Sequence, residues 1–207
     1  MKDLKLVLGV VIGSGLLVFL MIFGLSKMSV NGTTVKVDSN ELLDGALLVK
    51  ENGPTKATVV VFSDPQCPAC KIADDKLKVI RDLSGVKYVY RHFPLTIHAN
   101  SQVGARAIES ARQLGKGWEM IDLLFAKQDE WSGDKKPESK FIEYAKSLGL
   151  DEKKFGDGIN SQSSQATVSA DLALGDRLRL SGTPSIFVNG EQIATDFVVD
   201  RVKQLLK

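Results

Sequence analysis

The strongest hydrophobic signal in the chain lies near its beginning. From Leu6 to Leu25 run twenty residues without a charge, bracketed by Lys5 and Lys27. A helix of that length spans about 30 Å, the thickness of the hydrocarbon core of a bilayer. A secretory signal peptide has a shorter apolar region and a cleavage site with small residues, and no such site follows here. The pattern therefore predicts an uncleaved N-terminal transmembrane helix, a signal-anchor over residues 1–26, with a cleaved signal peptide as the alternative.

The charges that flank this segment predict its orientation. Lys2, Lys5 and the terminal amine precede it, offset by Asp3, and Lys27 alone lies close after it. Because the flank richer in basic residues tends to stay in the cytoplasm, the rest of the chain is expected on the other side. We therefore predict a single-pass protein of the cell membrane with its larger part extracytoplasmic, joined to the anchor by a polar tether at 27–45.

The next pattern is a strand, a helix and a second strand. Ala57 to Phe62 is a continuous apolar run rich in valine, which is typical of a strand buried on both faces of a sheet. From Pro68 onward apolar residues recur with the period of a helix, and Gly85 is the predicted stop. Val86 to Arg91 then predicts the second strand.

Beyond Leu95 the periodicity is helical as far as Leu180. Four helices are predicted there, near 103–114, 118–128, 137–148 and 163–180. After them, Asn189-Gly190 separates two short segments and predicts a hairpin, because both residues tolerate the positive φ angles of a tight turn. Asp196 is expected to cap a last helix.

Composition and charge exclude few classes of function. The chain has 27 Lys and Arg against 25 Asp and Glu, a net charge of +2, and no basic block. Nucleic acid is therefore not an expected partner. Hydrophobic residues make up 43 % of the chain, which is enough to fill the core of one domain.

Two cysteines, Cys67 and Cys70, are separated by Pro68 and Ala69. A disulfide between them would close a very small loop and restrict little of the unfolded chain, so the pair indicates chemistry rather than a structural crosslink. Pro68 suits the first position of a helix, which places Cys67 at the N-cap, at the positive end of the helix dipole. That position stabilises a thiolate, so Cys67 is the predicted nucleophile. Cys70, almost one turn further on, is predicted to resolve the mixed disulfide.

A metal site is the alternative use of the cysteines. Together with His92 and His98 they have the spacing C-x2-C-x21-H-x5-H, which superficially resembles a zinc site of two cysteines and two histidines. The middle spacing is longer than in ordinary zinc fingers, and the domain is large enough to fold without a metal. We therefore predict no metal. We interpret His92 as a packing or hydrogen-bonding residue, with a catalytic role as the alternative, and His98 as a residue of a loop or a helix start.

Four motifs, in order, resemble those of the DsbA-like branch of the thioredoxin superfamily. The first is Phe62-Ser63-Asp64-Pro65-Gln66-Cys67-Pro68-Ala69-Cys70, and the second is Tyr90-Arg91-His92-Phe93-Pro94-Leu95 with His98 and Asn100 soon after. The third is Gly117-Trp118-Glu119 leading to Leu123-Leu124-Phe125, and the fourth is Gly182-Thr183-Pro184-Ser185-Ile186-Phe187-Val188-Asn189-Gly190. The resemblance covers nearly everything from Ala57 to Lys207. It implies an α/β, thioredoxin-like domain over 46–207, with the helices at about 96–180 as an insertion.

The resemblance also implies roles for residues other than the cysteines. Pro184 matches the family's cis-proline, and the backbone of Thr183 would bind an extended substrate segment. Pro68 and Ala69, between the cysteines, would tune the redox potential.

The sequence departs from the family pattern at two positions. DsbA itself has a histidine where this chain has Ala69, so strong oxidising power does not follow from the resemblance. Thioredoxin carries a buried aspartate six residues before its first cysteine, where this chain has Val61. Asp64, which is three residues before Cys67, is interpreted as a hydrogen-bonding residue at the helix start, with an effect on Cys67 as the alternative.

The main hypothesis is an extracytoplasmic dithiol oxidase that donates the Cys67–Cys70 disulfide to cysteine-containing exported proteins. The exchange needs no metal or organic cofactor. The resemblance implies a quinone-linked membrane partner that reoxidises the pair. A thiol reductase of the same fold and a non-catalytic thioredoxin-like binding module are the alternatives. No dimerisation segment is evident, so a monomer is expected.

Overall fold

The computed structural model of the protein describes residues 36–207, and the predicted anchor lies outside them. None of the helices within that range is both long and apolar enough to cross a membrane. The helices are α1 (Ser39–Leu43), α2 (Pro68–Arg81), α3 (Ser101–Gln113), α4 (Gly117–Ala126), α5 (Gln128–Trp131), α6 (Glu138–Ser147), α7 (Glu152–Ile159), α8 (Gln162–Arg177) and α9 (Thr195–Leu206). The strands are β1 (Leu48–Glu51), β2 (Ala57–Ser63), β3 (Val86–His92), β4 (Ser185–Val188) and β5 (Glu191–Gln192).

The five strands form one mixed sheet in the order β1-β3-β2-β4-β5. Strands β2 and β3 are parallel, with Ala57 opposite Val86 and Ser63 opposite His92, and the other neighbours are antiparallel. Parallel neighbours need a crossover connection, which α2 supplies. Strand β2 is third of the five strands and thus central in the sheet. Its continuous apolar sequence reflects burial on both faces.

Helices cover both faces of the sheet. Successive side chains of a strand point to opposite faces, and those of β2 enter two different clusters. Val59 and Val61 pack with residues of α2 and α9, whereas Phe62 packs on the other face with Leu42 of α1 and Leu174 of α8. The α/β class is therefore confirmed, and the sheet is the middle of three layers.

The helices between β3 and β4 build a second core. Its large buried members are Ile108, Met120, Leu124, Phe125, Trp131, Phe141 and Phe155. Trp131 donates from Nε1 to the carbonyl oxygen of Leu124 at 2.9 Å, so its polar atom is satisfied inside this core. Cys67 and Cys70 belong to the same cluster, so the insertion packs directly against the cysteine pair.

Helix α7 is the part of the insertion that the sequence pattern did not predict. Its sequence includes Gly156 and Gly158, which weaken the helical signal. Gly158 lies against Ser110 of α3, where an added Cβ would come within 2.2 Å of the serine Oγ. The glycine is thus explained by close packing of two helices, a contact that is not visible in a local sequence pattern.

Two elements before β2 were also not predicted. Asp38 caps α1 by accepting from the N–H of Asn40 at 2.9 Å, and Leu42 is buried against the sheet. Strand β1 pairs with β3 along its full length. The predicted boundary at residue 46 therefore falls between α1 and β1, and α1 lies within the stretch assigned to the tether.

Candidate active site

The two cysteines lie where β2 passes into α2. Cys67 is the N-cap residue with an extended backbone, φ −73° and ψ 122°, and Pro68 is the first helical residue. Cys67 is 7 % exposed and Cys70 only 1 %, and the two are free thiols. A substrate can therefore reach the pair only at Cys67.

The thiol of Cys67 is acidified by its surroundings. Its pKa falls to about 5, chiefly because the Cys70 thiol donates to it, with smaller effects from Thr183 and from the backbone N–H groups of Cys70 and Ala69. Burial acts in the opposite direction and is outweighed. At neutral pH Cys67 is therefore a thiolate, the form that attacks disulfides.

Cys70 has the opposite character. Burial raises the pKa of its thiol far above the usual range, and its hydrogen bond to Cys67 raises that pKa further. The backbone N–H of Asp64 donates to its Sγ at 3.5 Å. The site thus holds one accessible thiolate and one buried thiol.

The segment before β4 completes the site from the far end of the chain. The peptide bond between Thr183 and Pro184 is cis, as the resemblance implies. The carbonyl oxygen of Thr183 lies 3.6 Å from the Sγ of Cys67. The structure therefore brings together Cys67, Cys70 and Thr183–Pro184, while their functional roles stay predictions.

The two residues predicted to tune the redox potential, Pro68 and Ala69, lie between the cysteines, and their side chains have no hydrogen-bonding groups. Pro68 and Ala69 are exposed on the first turn of α2. Val61, at the position of thioredoxin's aspartate, is 4 % exposed and packs in the apolar cluster beneath α2 and α9. No carboxylate occupies that position here.

Asp64 fixes the turn that precedes Cys67. Its buried carboxylate accepts from the backbone N–H groups of Gln66 and Leu95, at 2.8 and 3.0 Å, and from Nδ1 of His98 at 2.7 Å. Its own carbonyl oxygen accepts from the N–H of Cys67 at 3.1 Å. The Asp64 carboxylate thus binds the turn before the helix and the segment after β3, while its backbone binds the N-cap residue.

Two glutamine side chains connect this turn to the insertion, and sequence reasoning missed them in this role. Gln66 donates to the carbonyl oxygen of Ser132 and accepts from the N–H of Asn100. Gln128 donates to the carbonyl oxygens of Pro65 and Cys67, at 2.9 and 3.1 Å. Glutamine and asparagine have no spacing that distinguishes such a role, so only the tertiary structure identifies them.

Neither histidine lies with the cysteines in a metal-binding arrangement. His92 is fully buried and its Nε2 lies 2.9 Å from Oε1 of Glu109, while His98 pairs with Asp64. Over residues 36–207, no group of three or more His, Cys, Asp and Glu side chains could hold a metal ion. His92 thus has the hydrogen-bonding role expected of it, and His98 lies in the turn before α3.

An accessible thiolate at a helix N-terminus, a buried second thiol and a neighbouring cis-proline together define a thiol:disulfide oxidoreductase of thioredoxin-like fold. The sequence model of a family described as thioredoxin matches residues 52–207. The chain belongs to this thioredoxin family, and the thioredoxin-like fold with a helical insertion is confirmed.

Solved structures of thiol-disulfide oxidoreductases share this fold. Oxidised BdbD from Bacillus subtilis superposes with a TM-score of 0.69 at 21 % identity, over 84 % of this chain and 98 % of that one. A thioredoxin-like oxidoreductase from Silicibacter pomeroyi gives a TM-score of 0.68 at 26 % identity, over 81 % and 97 % of the two chains. The thiol-disulfide exchange protein alpha-DsbA2 from Wolbachia pipientis gives 0.66 at 21 % identity, over 81 % and 91 %.

Curated relatives with higher sequence identity are much longer proteins. The Na(+)/H(+) antiporter NhaA 3 of Salinispora tropica is 38 % identical over 144 residues, which are 68 % of this chain and 21 % of the antiporter. NhaA 1 of Salinispora arenicola is 37 % identical over the same shares. The chain therefore spans about a fifth of the length of these relatives, and the antiport that their names describe belongs to those whole proteins.

Proposed function

We propose that the chain is a membrane-anchored, extracytoplasmic dithiol oxidase that introduces disulfides into exported proteins through Cys67 and Cys70. One observation carries the direction of the proposed exchange: the pKa of Cys67 is lowered to about 5 next to a buried Cys70 whose pKa is raised. A stabilised thiolate favours the dithiol form, and a pair whose reduced form is stabilised is a strong oxidant. This supports an oxidase over a reductase.

The reaction would begin with the pair as a disulfide. A substrate thiolate attacks the Sγ of Cys67, the bond between the two enzyme sulfurs breaks, and Cys70 leaves as a thiolate that takes up a proton. A second substrate thiolate then attacks the substrate sulfur of the mixed disulfide. The substrate leaves oxidised, and Cys67 keeps the electron pair as a thiolate.

Substrate and reoxidation partner are parts of the same proposal. The 3.6 Å separation between the Cys67 Sγ and the Thr183 carbonyl oxygen would let that backbone hold an extended substrate segment next to the reacting sulfur. The electron pair left on the enzyme would pass to a quinone-linked membrane protein. An anchor at Leu6–Leu25 would keep the enzyme beside such a partner.

The reduction potential tests the direction of exchange. The purified protein is equilibrated with glutathione redox buffers, and the thiols of Cys67 and Cys70 are trapped and counted. We expect a potential well above about −200 mV, towards the value of about −120 mV of DsbA. A value near thioredoxin's, about −270 mV, would identify a reductase instead. A double variant, Cys67→Ser with Cys70→Ser, that keeps its biological activity would identify a binding module.

The anchor and its orientation are tested separately in cells. The full chain should remain in the membrane fraction after alkaline carbonate extraction, and a protease added to intact protoplasts should digest it. Replacement of Leu17 by Lys, in the middle of the apolar run, should reduce membrane retention because a charge at the bilayer centre is costly. Protection from the external protease would contradict the extracytoplasmic location.

A further inference from the structure

The backbone of Asp64 contacts both cysteines. Its N–H group donates to the Sγ of Cys70 at 3.5 Å, and its carbonyl oxygen accepts from the N–H of Cys67 at 3.1 Å. Cys70 is 1 % exposed, so water has little access to its sulfur. The Asp64 amide is thus placed where negative charge develops when Cys70 reacts.

The side chain of Asp64 is held by three donors from two segments. Two are backbone N–H groups, of Gln66 in the same turn and Leu95 after β3. The third, and the only side chain among them, is His98, whose Nδ1 lies 2.7 Å from Oδ2. The carboxylate is fully buried, whereas the His98 side chain is 18 % exposed, so His98 closes this arrangement from the solvent side.

We propose that His98 and Asp64 are positioning residues for the resolving cysteine, His98 fixing the Asp64 carboxylate so that the Asp64 N–H group stays directed at the Sγ of Cys70. The inference depends on the proposed exchange at the cysteine pair and is independent of its direction. A hydrogen bond to a charged sulfur is stronger than one to a neutral thiol. The amide therefore favours the thiolate of Cys70 over its thiol.

The step that this amide serves can be written in full. Cys70 gives up its proton, which passes out of the buried site to the solvent, and its thiolate attacks the Sγ of Cys67 in the mixed disulfide. The bond between Cys67 and the bound partner sulfur breaks, and the partner leaves with the electron pair as a thiolate. In the reverse direction Cys70 is itself the leaving thiolate. Both directions pass through negative charge on the atom that faces the Asp64 amide.

A two-step chemical probe separates the two cysteines. The reduced full chain in detergent is mixed with dithiobis(nitrobenzoate) in a stopped-flow instrument. Cys67 releases the first thionitrobenzoate as it attacks the probe, and Cys70 releases the second as it closes the disulfide. His98→Ala is expected to slow the second release about tenfold and to leave the first unchanged. A tenfold effect is about that of losing one hydrogen bond to a charged group. His98→Asn, whose Nδ2 can donate to Asp64, is expected to restore most of the rate.

Matched variants separate positioning from general loss of stability. Asp64→Asn keeps the side-chain volume but loses acceptor capacity, and it is expected to slow the second release as well. Asp171→Asn changes another buried carboxylate that accepts a backbone N–H, that of His92, without contacting either cysteine. It should leave both releases unchanged, even if the protein unfolds at a lower temperature.

The opposite results would each overturn either the positioning role or the proposed function. An unchanged second release in both His98→Ala and Asp64→Asn would overturn the positioning role, as would equal slowing of both releases. A wild-type protein that releases no thionitrobenzoate, or a Cys67→Ser variant that reacts like the wild type, would instead contradict the proposed function.

Discussion

The Sγ of Cys67 lies 3.6 Å from the carbonyl oxygen of Thr183, although 116 residues separate the two in the sequence. The contact follows from the sheet, because β2 leads into Cys67 and β4 follows Thr183, and these strands are paired with Val61 opposite Ile186. The helices of the insertion are encoded between the two segments. The register of the sheet therefore brings Thr183 to Cys67, and the insertion holds the turn before Cys67 through Gln66 and Gln128.

Single serine variants should separate the two cysteines by role. Cys67→Ser should abolish disulfide exchange, because it removes the accessible thiolate. Cys70→Ser should instead accumulate a mixed disulfide at Cys67, because the second thiol is missing. Mass spectrometry after incubation of the reduced variants with a peptide disulfide measures both products. A mixed disulfide that forms at Cys70 in the Cys67→Ser variant would reverse the assignment.

The acidic thiol predicts the pH dependence of alkylation. The reaction rate of the reduced protein with iodoacetamide should rise with a midpoint near pH 5, the pKa of Cys67. In concentrated urea the midpoint should move to about 8.5, the value of an unperturbed cysteine. A midpoint near 8.5 in the folded protein would contradict the lowered pKa and remove the main support for an oxidase.

The same shift links stability to pH in a defined direction. The folded pKa of Cys67 lies below the unfolded one, so the ionised thiol stabilises the reduced protein fully above about pH 8.5. That contribution is lost as the pH falls towards 5, and the disulfide form, which lacks the group, has no such term. Urea unfolding of both forms at several pH values measures it. The reduced form should lose stability relative to the oxidised form on acidification.

Most of the central fold could be predicted from local patterns. The run Ala57 to Phe62 predicted β2 to within one residue, and Pro68 marked the start of α2, because burial on both faces and a helix N-terminus leave strong local signals. Strand β1 could not be predicted, since its pattern of burial along four residues depends on pairing with β3. Strands β2 and β3, which were predicted from their own apolar runs, are buried at all but one of their seven positions.

In the candidate site, too, some residues could be predicted from the sequence and others could not. Cys67 and Cys70 were identified from spacing and from their place before a helical pattern. Gln66, Asn100 and Gln128 were not, because their hydrogen bonds go to backbone groups of distant segments. Such contacts leave no period or motif in a single sequence.

The apolar environment of Val61 predicts that thioredoxin's aspartate cannot simply be introduced here. Val61 is 4 % exposed, so Val61→Asp would bury a carboxylate without a partner and should lower the free energy of unfolding by about 3 kcal/mol. Val79→Asp is the control, since Val79 is 60 % exposed on α2 and should change stability by about 0.5 kcal/mol or less. Urea unfolding measures both. Equal losses in the two variants would show that the Val61 site tolerates a charge.

The buried pair of Arg91 and Asp171 should contribute far more to stability than an exposed pair of the same length. Arg91 and Asp171 lie 2.7 Å apart with side chains 3 % and 7 % exposed, so Asp171→Ala leaves an uncompensated guanidinium in the core. We expect a loss of about 3–5 kcal/mol in the free energy of unfolding. Lys50 and Asp82 also lie 2.7 Å apart but are 30 % and 61 % exposed, so Asp82→Ala should cost at most about 1 kcal/mol. Chemical denaturation of both variants compares them, and similar losses would mean that burial does not set the contribution of the pair in this fold.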